Sequence, residues 1–304
     1  MQPTEWIWRD GDYVRWNDAT THVTAHALHY GSAVFEGARA YETPDGPRFF
    51  RLRDHLRRLG DSAKLYGMPL RHGVDALFAA CSGVLQRNGL RHAYLRPLVF
   101  RGPGELKIEP RDNPVETIVC AWQWGRYFAD PDRAIDVGVS SWRRVAPSTM
   151  PALAKAAGNY LSSLLIQQEA RQNGFAEGIA LTTDGLVGEG AGSNVFCVHR
   201  GRLYTPDVAS SILVGITRDT VMTLARDLGL EVIEERMPRE RLLLADEVFL
   251  CGTAAEITAV GSVDRAPVGR GAPGPVTRRL QQAFAGLFDG SHGDRHGWLE
   301  VPAP

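Results

Sequence analysis

Pro151-Ala-Leu-Ala-Lys155-Ala-Ala-Gly158-Asn159-Tyr160 is the stretch from which the fold class follows. Its lysine is one of only three in the chain, with Lys64 and Lys107, although lysine and arginine together number 34. Arginine therefore fills nearly every position that needs only a positive charge. A guanidinium stays protonated and cannot attack a carbonyl, whereas a lysine amine that loses its proton can bond covalently to one. Most lysines are solvated surface charges. This one is flanked by alanines and a glycine, which leave room for a flat ligand beside it, so Lys155 is a candidate carbonyl-binding residue.

Working outward, the next chemistry-bearing stretch is Gly185-Leu-Val-Gly188-Glu189-Gly190-Ala-Gly192. A carboxylate among so many glycines sits on tight backbone, where a planar ring can come close. Gly215-Ile216-Thr217 opens an amphipathic segment, and the N–H groups of a helix start together with the Thr217 hydroxyl suit a phosphate. Gly252-Thr253-Ala254-Ala255 follows the apolar run Val248–Cys251 and repeats the strand-then-small-turn pattern, a second source of phosphate donors. Arg58 lies only partly off the Leu56, Leu59, Ala63 stripe and can point inward. Each has an ordinary reading as a turn acid, a helix start or a solvated arginine. Taken together with Lys155 they meet the demands of a ligand bearing an aldehyde, a pyridine ring and a phosphate.

The pattern along the chain predicts an α/β (α+β) protein of two domains: a smaller N-terminal domain over 1–126, a linker over 127–134, and a larger strand-rich domain with packed helices over 135–304. Short strands are expected at 5–9 and 12–16, and a helix capped by Asp54 carries Leu56, Leu59, Ala63 and Tyr66 on one face. A second helix runs from Val74 to Asn88-Gly89. Strands follow over Ala93–Phe100, Thr117–Trp124 and Ile135–Arg143, then a helix over Asn159–Asn173 stopped by Gly174. Residues 178–205 read as hairpins with turns at Thr183-Asp184-Gly185 and Arg200-Gly201. Helices near 217–228, 239–245 and 275–288 complete the pattern.

Composition is that of an ordinary globular protein, 44% hydrophobic and 23% charged, with a net charge of −1 and no basic block. Nucleic-acid and membrane-surface partners are therefore not expected. Met1-Gln-Pro-Thr-Glu-Trp6 lacks a signal-peptide pattern, no apolar run has transmembrane length, and the four scattered cysteines show no metal-ligand spacing. A cytoplasmic location with reduced thiols, and no metal, is the expectation.

In order and spacing, these segments resemble the branched-chain amino acid aminotransferases, members of the fold-type IV (class IV) pyridoxal phosphate enzymes. The matching stretches are His26-Ala-Leu-His-Tyr30-Gly-Ser-Ala-Val-Phe35-Glu-Gly37, His55-Leu-Arg-Arg58-Leu, Tyr94-Leu-Arg96-Pro, Ala154-Lys155-Ala-Ala-Gly-Asn-Tyr160-Leu, Gly188-Glu189-Gly-Ala-Gly, Gly215-Ile-Thr217-Arg218-Asp and Gly252-Thr253-Ala-Ala-Glu256-Ile. They extend from about Trp6 to Trp298. The resemblance implies pyridoxal 5'-phosphate as cofactor and makes Lys155 the catalytic lysine that carries its aldehyde. Arg58 becomes a phosphate ligand, Tyr160 a donor to the ring oxygen, Glu189 the partner of the ring nitrogen and Leu213 a contact on the ring face. Gly215, Ile216, Thr217, Gly252 and Thr253 complete the phosphate cup. The substrate pocket would use Phe35, Gly37, Tyr94, Arg96, Trp124 and Tyr127, with Thr253 and Ala254 near the α-carboxylate. Tyr30 and the 101–110 loop would reach across a subunit interface, in a homodimer or a higher oligomer built from dimers.

The implied reaction is transamination between leucine, isoleucine or valine and 2-oxoglutarate, so the partners are small amino acids and 2-oxo acids. One pocket must then hold both an aliphatic chain and the side-chain carboxylate of glutamate. Arg96 among aromatic residues is the candidate that reconciles them. D-amino acid aminotransferases and aminodeoxychorismate lyases share the lysine, glutamate and phosphate ligands, but the Tyr94-Leu-Arg96 and Gly252-Thr253-Ala254-Ala255 segments favour the branched-chain L-specific branch. A non-enzymatic binding protein on the same scaffold is disfavoured by Lys155 and Glu189 together. Three positions depart from the family pattern: Lys107 where glycine is common, Ser193 where an acid is frequent, and Val214 in place of a usual proline.

Overall fold

The structure is a computed structural model that describes residues 2–125 and 133–304. Tyr127 and most of the expected linker lie outside the described residues. The chain forms two compact units: the first comprises Met1–Gly125, Ala154–Gly158 and Phe288–Pro304, the second Arg126–Leu153 and Asn159–Leu287. The division is not sequential, because two later segments pack with the N-terminal one. Lys155 therefore belongs to the first unit, not to the C-terminal half in which its sequence position puts it.

In the first unit the elements are β1 (Trp6–Arg9), β2 (Asp12–Arg15), α1 (His26–Tyr30), β3 (Ala33–Phe35), β4 (Ala38–Thr43), β5 (Gly46–Phe50), α2 (Leu52–Leu65), α3 (Val74–Arg87), β6 (Ala93–Arg101) and β7 (Val115–Gln123). The chain returns at its end as a short edge strand, Leu299–Glu300, antiparallel to β5. The eight-stranded sheet places β6 between β4 and β7, with β3 also pairing β6. Two helices cover it. α2 buries Leu52, His55, Leu56, Leu59, Ser62 and Ala63, and α3 buries Leu77, Phe78, Cys81, Val84 and Leu85, both at helical spacing. They close on Val34, Phe49, Leu95, Val99 and Val119 from the sheet. Each such fully buried side chain contributes about 1.5–3 kcal/mol.

Asp54 does not cap α2. The helix begins at Leu52, and Arg51, in left-handed backbone at φ 52°, stands at the N-cap position. Asp54 instead lies in the first turn, where its carboxylate accepts from Arg51 Nε and Arg57 Nη1, both at 2.7 Å. A helix dipole favours an acid there as it does at the cap, which is why sequence alone misplaces the start.

The second unit holds β8 (Ile135–Arg143), α4 (Tyr160–Gln172), β9 (Glu177–Leu181), β10 (Val187–Gly190), β11 (Asn194–His199), β12 (Arg202–Pro206), α5 (Ile216–Asp227), β13 (Val232–Glu235), α6 (Glu240–Leu244), β14 (Glu247–Gly252), β15 (Glu256–Val263) and β16 (Ala266–Pro267), followed by α7 (Pro275–Asp289). Its nine-stranded sheet runs β10-β9-β8-β15-β14-β11-β12-β13, with β16 on β15. β8 lies parallel to both neighbours, so the sheet is mixed. The two expected hairpins are present. Arg200 and Gly201 take φ of 49° and 74° between β11 and β12, and Gly185 takes φ of 84° between β9 and β10, conformations that tight hairpin turns require. Among the described residues no helix is long and apolar enough to cross a membrane.

Candidate active site

In the first unit, Lys155 is held by its backbone rather than by its own helix or strand. Its N–H donates to the Ser62 hydroxyl at 3.0 Å, its carbonyl accepts from Phe35 N–H at 3.0 Å, and Ala156 bridges Val34. The main chain is thus stitched to β3 and α2, while the amine lies 5.0 Å from the centre of the Phe35 ring. The flanking small residues have a visible use. Ala154 and Ala156 are almost fully buried in this packing, where larger side chains would push the segment away.

Beside it lies a buried polar cluster. Glu36 is completely buried; its carboxylate accepts from Arg58 Nε (2.7 Å) and Nη2 (2.9 Å) and from His55 Nδ1 (2.6 Å). Burial pushes the Glu36 carboxyl up, but Arg58 and His55 outweigh it and hold it well below the usual carboxylate range. Burial lowers His55 in turn, with Arg58 and Lys155 adding to the effect against the pull of Glu36. Arg58 is thereby fixed through one edge of its guanidinium, and its side chain remains 15% exposed. A planar fork held this way is oriented before any anion arrives.

The third feature of this unit is an aromatic wall. Tyr94 lies opposite Trp122 in the β6–β7 register, with ring centres 5.3 Å apart, and Trp124 follows at 4.9 Å from Tyr94. The Arg96 guanidinium is 4.6 Å from the Phe35 ring and 5.5 Å from that of Tyr94. Its Nε is buried without a hydrogen-bond partner among the described residues, and no carboxylate pairs with it there. A cation lined by π faces, with no anion among the described residues, is equipped to receive one. Gly37 makes the wall possible, because a Cβ at that position would overlap the Tyr94 hydroxyl.

Tyr30 is half exposed, stacks on His26 at 4.4 Å and donates its hydroxyl to the Leu106 carbonyl at 3.2 Å. The departing residue Lys107 has its carbonyl against His26 Nε2 (2.8 Å) and its amine on Glu105. The 101–110 loop is thus tied to α1 within the same chain.

In the second unit, Glu189 sits on β10, 6% exposed. One carboxylate oxygen is 2.7 Å from Arg144 Nη2; the other accepts from Asn194 Nδ2 and Leu213 N–H, each at 3.0 Å. The glycines around it are spacing devices. A Cβ on Gly188 would lie 2.9 Å from Arg144 Cγ, one on Gly190 2.6 Å from Ser193 Oγ, and one on Gly215 would overlap Asn194 Oδ1. Ser193 fills the space above Gly190.

Gly215, in extended backbone, is the N-cap of α5, and Ile216 and Thr217 are buried in its first turn. A helix start preceded by glycine in extended backbone, bearing a hydroxyl at its second residue, fits a phosphate. Gly252 ends β14, and Thr253 to Ala255 form the turn into β15. Leu213 accepts Asn194 Nδ2 on its carbonyl while donating its N–H to Glu189, so its backbone is locked against the carboxylate. Tyr160 is the first residue of α4, and Val214 is exposed.

Each unit therefore carries part of what a cofactor of the expected kind needs: an amine and an oriented guanidinium in the first, a buried ionic carboxylate and a helix start behind a glycine in the second. Sequence reasoning missed Glu36, His55, Trp122, Arg144 and Asn194. The alternation Trp122-Gln-Trp124 is a usable signal for the second tryptophan on the wall. The others carry none, because buried partners are defined by non-local contacts.

The family model for amino-transferase class IV matches residues 33–263. A branched-chain-amino-acid aminotransferase of Salmonella typhimurium is 52% identical over 299 residues, 97% of each chain. The crystal structure of an Escherichia coli branched-chain amino acid aminotransferase superposes with a TM-score of 0.97 at 51% identity, covering 99% of this chain and 100% of that one. A branched-chain amino acid aminotransferase from Thermobaculum terrenum, solved in its PLP-form (holo-form), gives a TM-score of 0.92 at 36% identity, over 100% of both chains.

Proposed function

The chain belongs to the class IV aminotransferases, and from that premise we propose how its residues transfer the amino group of leucine, isoleucine or valine to 2-oxoglutarate. Bound to the protein, pyridoxal 5'-phosphate supplies an aldehyde for amine exchange and a protonated ring that takes up the electron pair left at Cα. Lys155 would hold that aldehyde and, with its amine free, would carry the proton away from the substrate Cα. Arg58, the N–H groups of Ile216 and Thr217, the Thr217 hydroxyl and Thr253 would bind the phosphate. Glu189 would keep the proton on the ring nitrogen, Tyr160 would donate to the ring oxygen, and Leu213 would lie against the ring face. Because the first 2-oxo acid leaves before the second one enters the same pocket, the kinetics are ping-pong.

The observation that carries the substrate reading is Arg96 within its aromatic wall, with no carboxylate of the described residues paired to it. Phe35, Tyr94 and Trp124 accept an aliphatic chain, and Arg96 accepts the side-chain carboxylate of glutamate in the same place. Thr253 and Ala254 face the α-carboxylate common to both. The exposed apolar residues Val23, Leu28 and Tyr30 support a homodimer, and the four free cysteines suit a cytoplasmic enzyme. The test is the colour of the purified holoenzyme. Its visible band bleaches with L-leucine and with L-glutamate and persists with D-alanine. Bleaching by D-alanine but not L-leucine would move the assignment to a D-specific enzyme.

A further inference from the structure

Glu189 has three identified donors, and one of them is a full charge buried with it. Arg144 directly follows β8 and is 5% exposed. Its side chain is fixed at two points, Nε on the Ser211 carbonyl at 3.1 Å and Nη2 on Glu189 at 2.7 Å, while its main-chain N–H is bound to Leu181 O. Gly188 gives its stem passage, since any Cβ there would press on Arg144 Cγ. The donors on the second carboxylate oxygen, Asn194 and the Leu213 N–H, are neutral.

A buried carboxylate with only neutral donors pays a desolvation penalty for its charge and takes up a proton more readily. Facing a pyridine nitrogen, such a group would keep the shared proton on oxygen and leave the ring neutral. A guanidinium in contact with the carboxylate reverses the preference, because it stabilises the nearby anion more than it repels a cation on the far side of it. We propose that Arg144 is a positioning residue for transamination: it fixes the Glu189 carboxylate and keeps it ionised, so that the proton between Glu189 and the cofactor resides on the ring nitrogen. This rests on the reading that Glu189 is the partner of that nitrogen. The two-point hold explains the choice of arginine, while a lysine would restore the charge but not the fork.

The experiment uses holoenzyme loaded with pyridoxal 5'-phosphate labelled at the ring nitrogen with its NMR-active heavy isotope. The nitrogen chemical shift separates pyridinium from neutral pyridine independently of turnover. The native protein gives the pyridinium position, Arg144→Met moves most of the way to neutral pyridine, and Arg144→Lys stays near the native value. A pyridinium shift in Arg144→Met overturns the proposal, as does a lysine variant displaced as far as the methionine one. If Arg144→Met fails to retain cofactor, Arg144→Gln keeps hydrogen bonding without charge and is read the same way. Glu189→Gln separates the two layers of the argument. If its nitrogen is unmoved, Glu189 is not the ring partner at all; if it moves while Arg144→Met and Arg144→Gln do not, only the role of Arg144 is lost.

Discussion

Replacing Arg96 with leucine separates the two half-reactions, and the structure sets the size of the effect. The guanidinium lies within 4.6 Å of Phe35 and 6.0 Å of Trp122, and no carboxylate of the described residues pairs with it. A glutamate side-chain carboxylate meeting it at about 4 Å gains about 4 kcal/mol at an effective dielectric constant near 20. Losing one side of such a desolvated pair costs about 2–5 kcal/mol, or roughly 30-fold to a few thousand-fold in the glutamate half-reaction. Leucine, isoleucine and valine use the aromatic faces instead. Their half-reactions change little in Arg96→Leu, and the added apolar surface helps rather than hinders. The assay is single-turnover bleaching of the holoenzyme by each amino acid separately. Equal losses for glutamate and leucine would refute the reasoning, since Arg96 would then be structural or bound to the α-carboxylate that both substrates carry.

Glu189→Gln retains cofactor but loses turnover by about 2.7–4 kcal/mol, comparable to removal of one preorganised charge-stabilising group; a change in kcat below about threefold would return Glu189 to the role of a turn acid. Glu36→Gln removes the carboxylate that holds Arg58 and His55, a buried pair whose breakage costs about 3–5 kcal/mol of stability at neutral pH. Because folding lowers the Glu36 pKa from 4.5, the stability it provides is fully present above that value and is lost as pH falls toward the depressed folded value. Chemical denaturation from pH 7 downward therefore shows the gap between native and Glu36→Gln proteins narrowing below pH 4.5, and a constant gap would mean that Glu36 acts through packing alone.

The parts of this architecture that depend on local pattern are readable before any coordinates. The helical stripes of α2 and α3, the strand Ile135–Arg143 and the hairpin turns at Gly185 and Gly201 all follow from periodicity and turn chemistry. Local pattern fails where a decision belongs to distant contacts. Asp54 looks like a cap because caps and first-turn acids obey the same electrostatics, and only the left-handed Arg51 distinguishes them. Lys155 joins the first unit because Ser62 and Phe35 bind its backbone, contacts that span 93 residues in one case and 120 in the other. Arg144 and Asn194 belong to the Glu189 site through side-chain geometry across three strands and a loop, for which no spacing rule exists. Glu36 lies inside a motif that matches the family, yet a lone acid between Phe35 and Gly37 gives no sign that it orients an arginine 22 residues away.

The claim on which the whole account depends is that the Lys155 amine performs the chemistry. Lys155→Ala should be assayed for leucine-to-2-oxoglutarate transamination, with far-ultraviolet circular dichroism to verify the fold. The account predicts turnover reduced to background and a visible spectrum without the native band, in a protein that remains folded, because one substitution removes both the covalent anchor and the proton carrier. Lys155→Arg fails equally, since a guanidinium keeps its protons. Near-native turnover in the alanine variant would contradict the assignment of this site and the reaction derived from it.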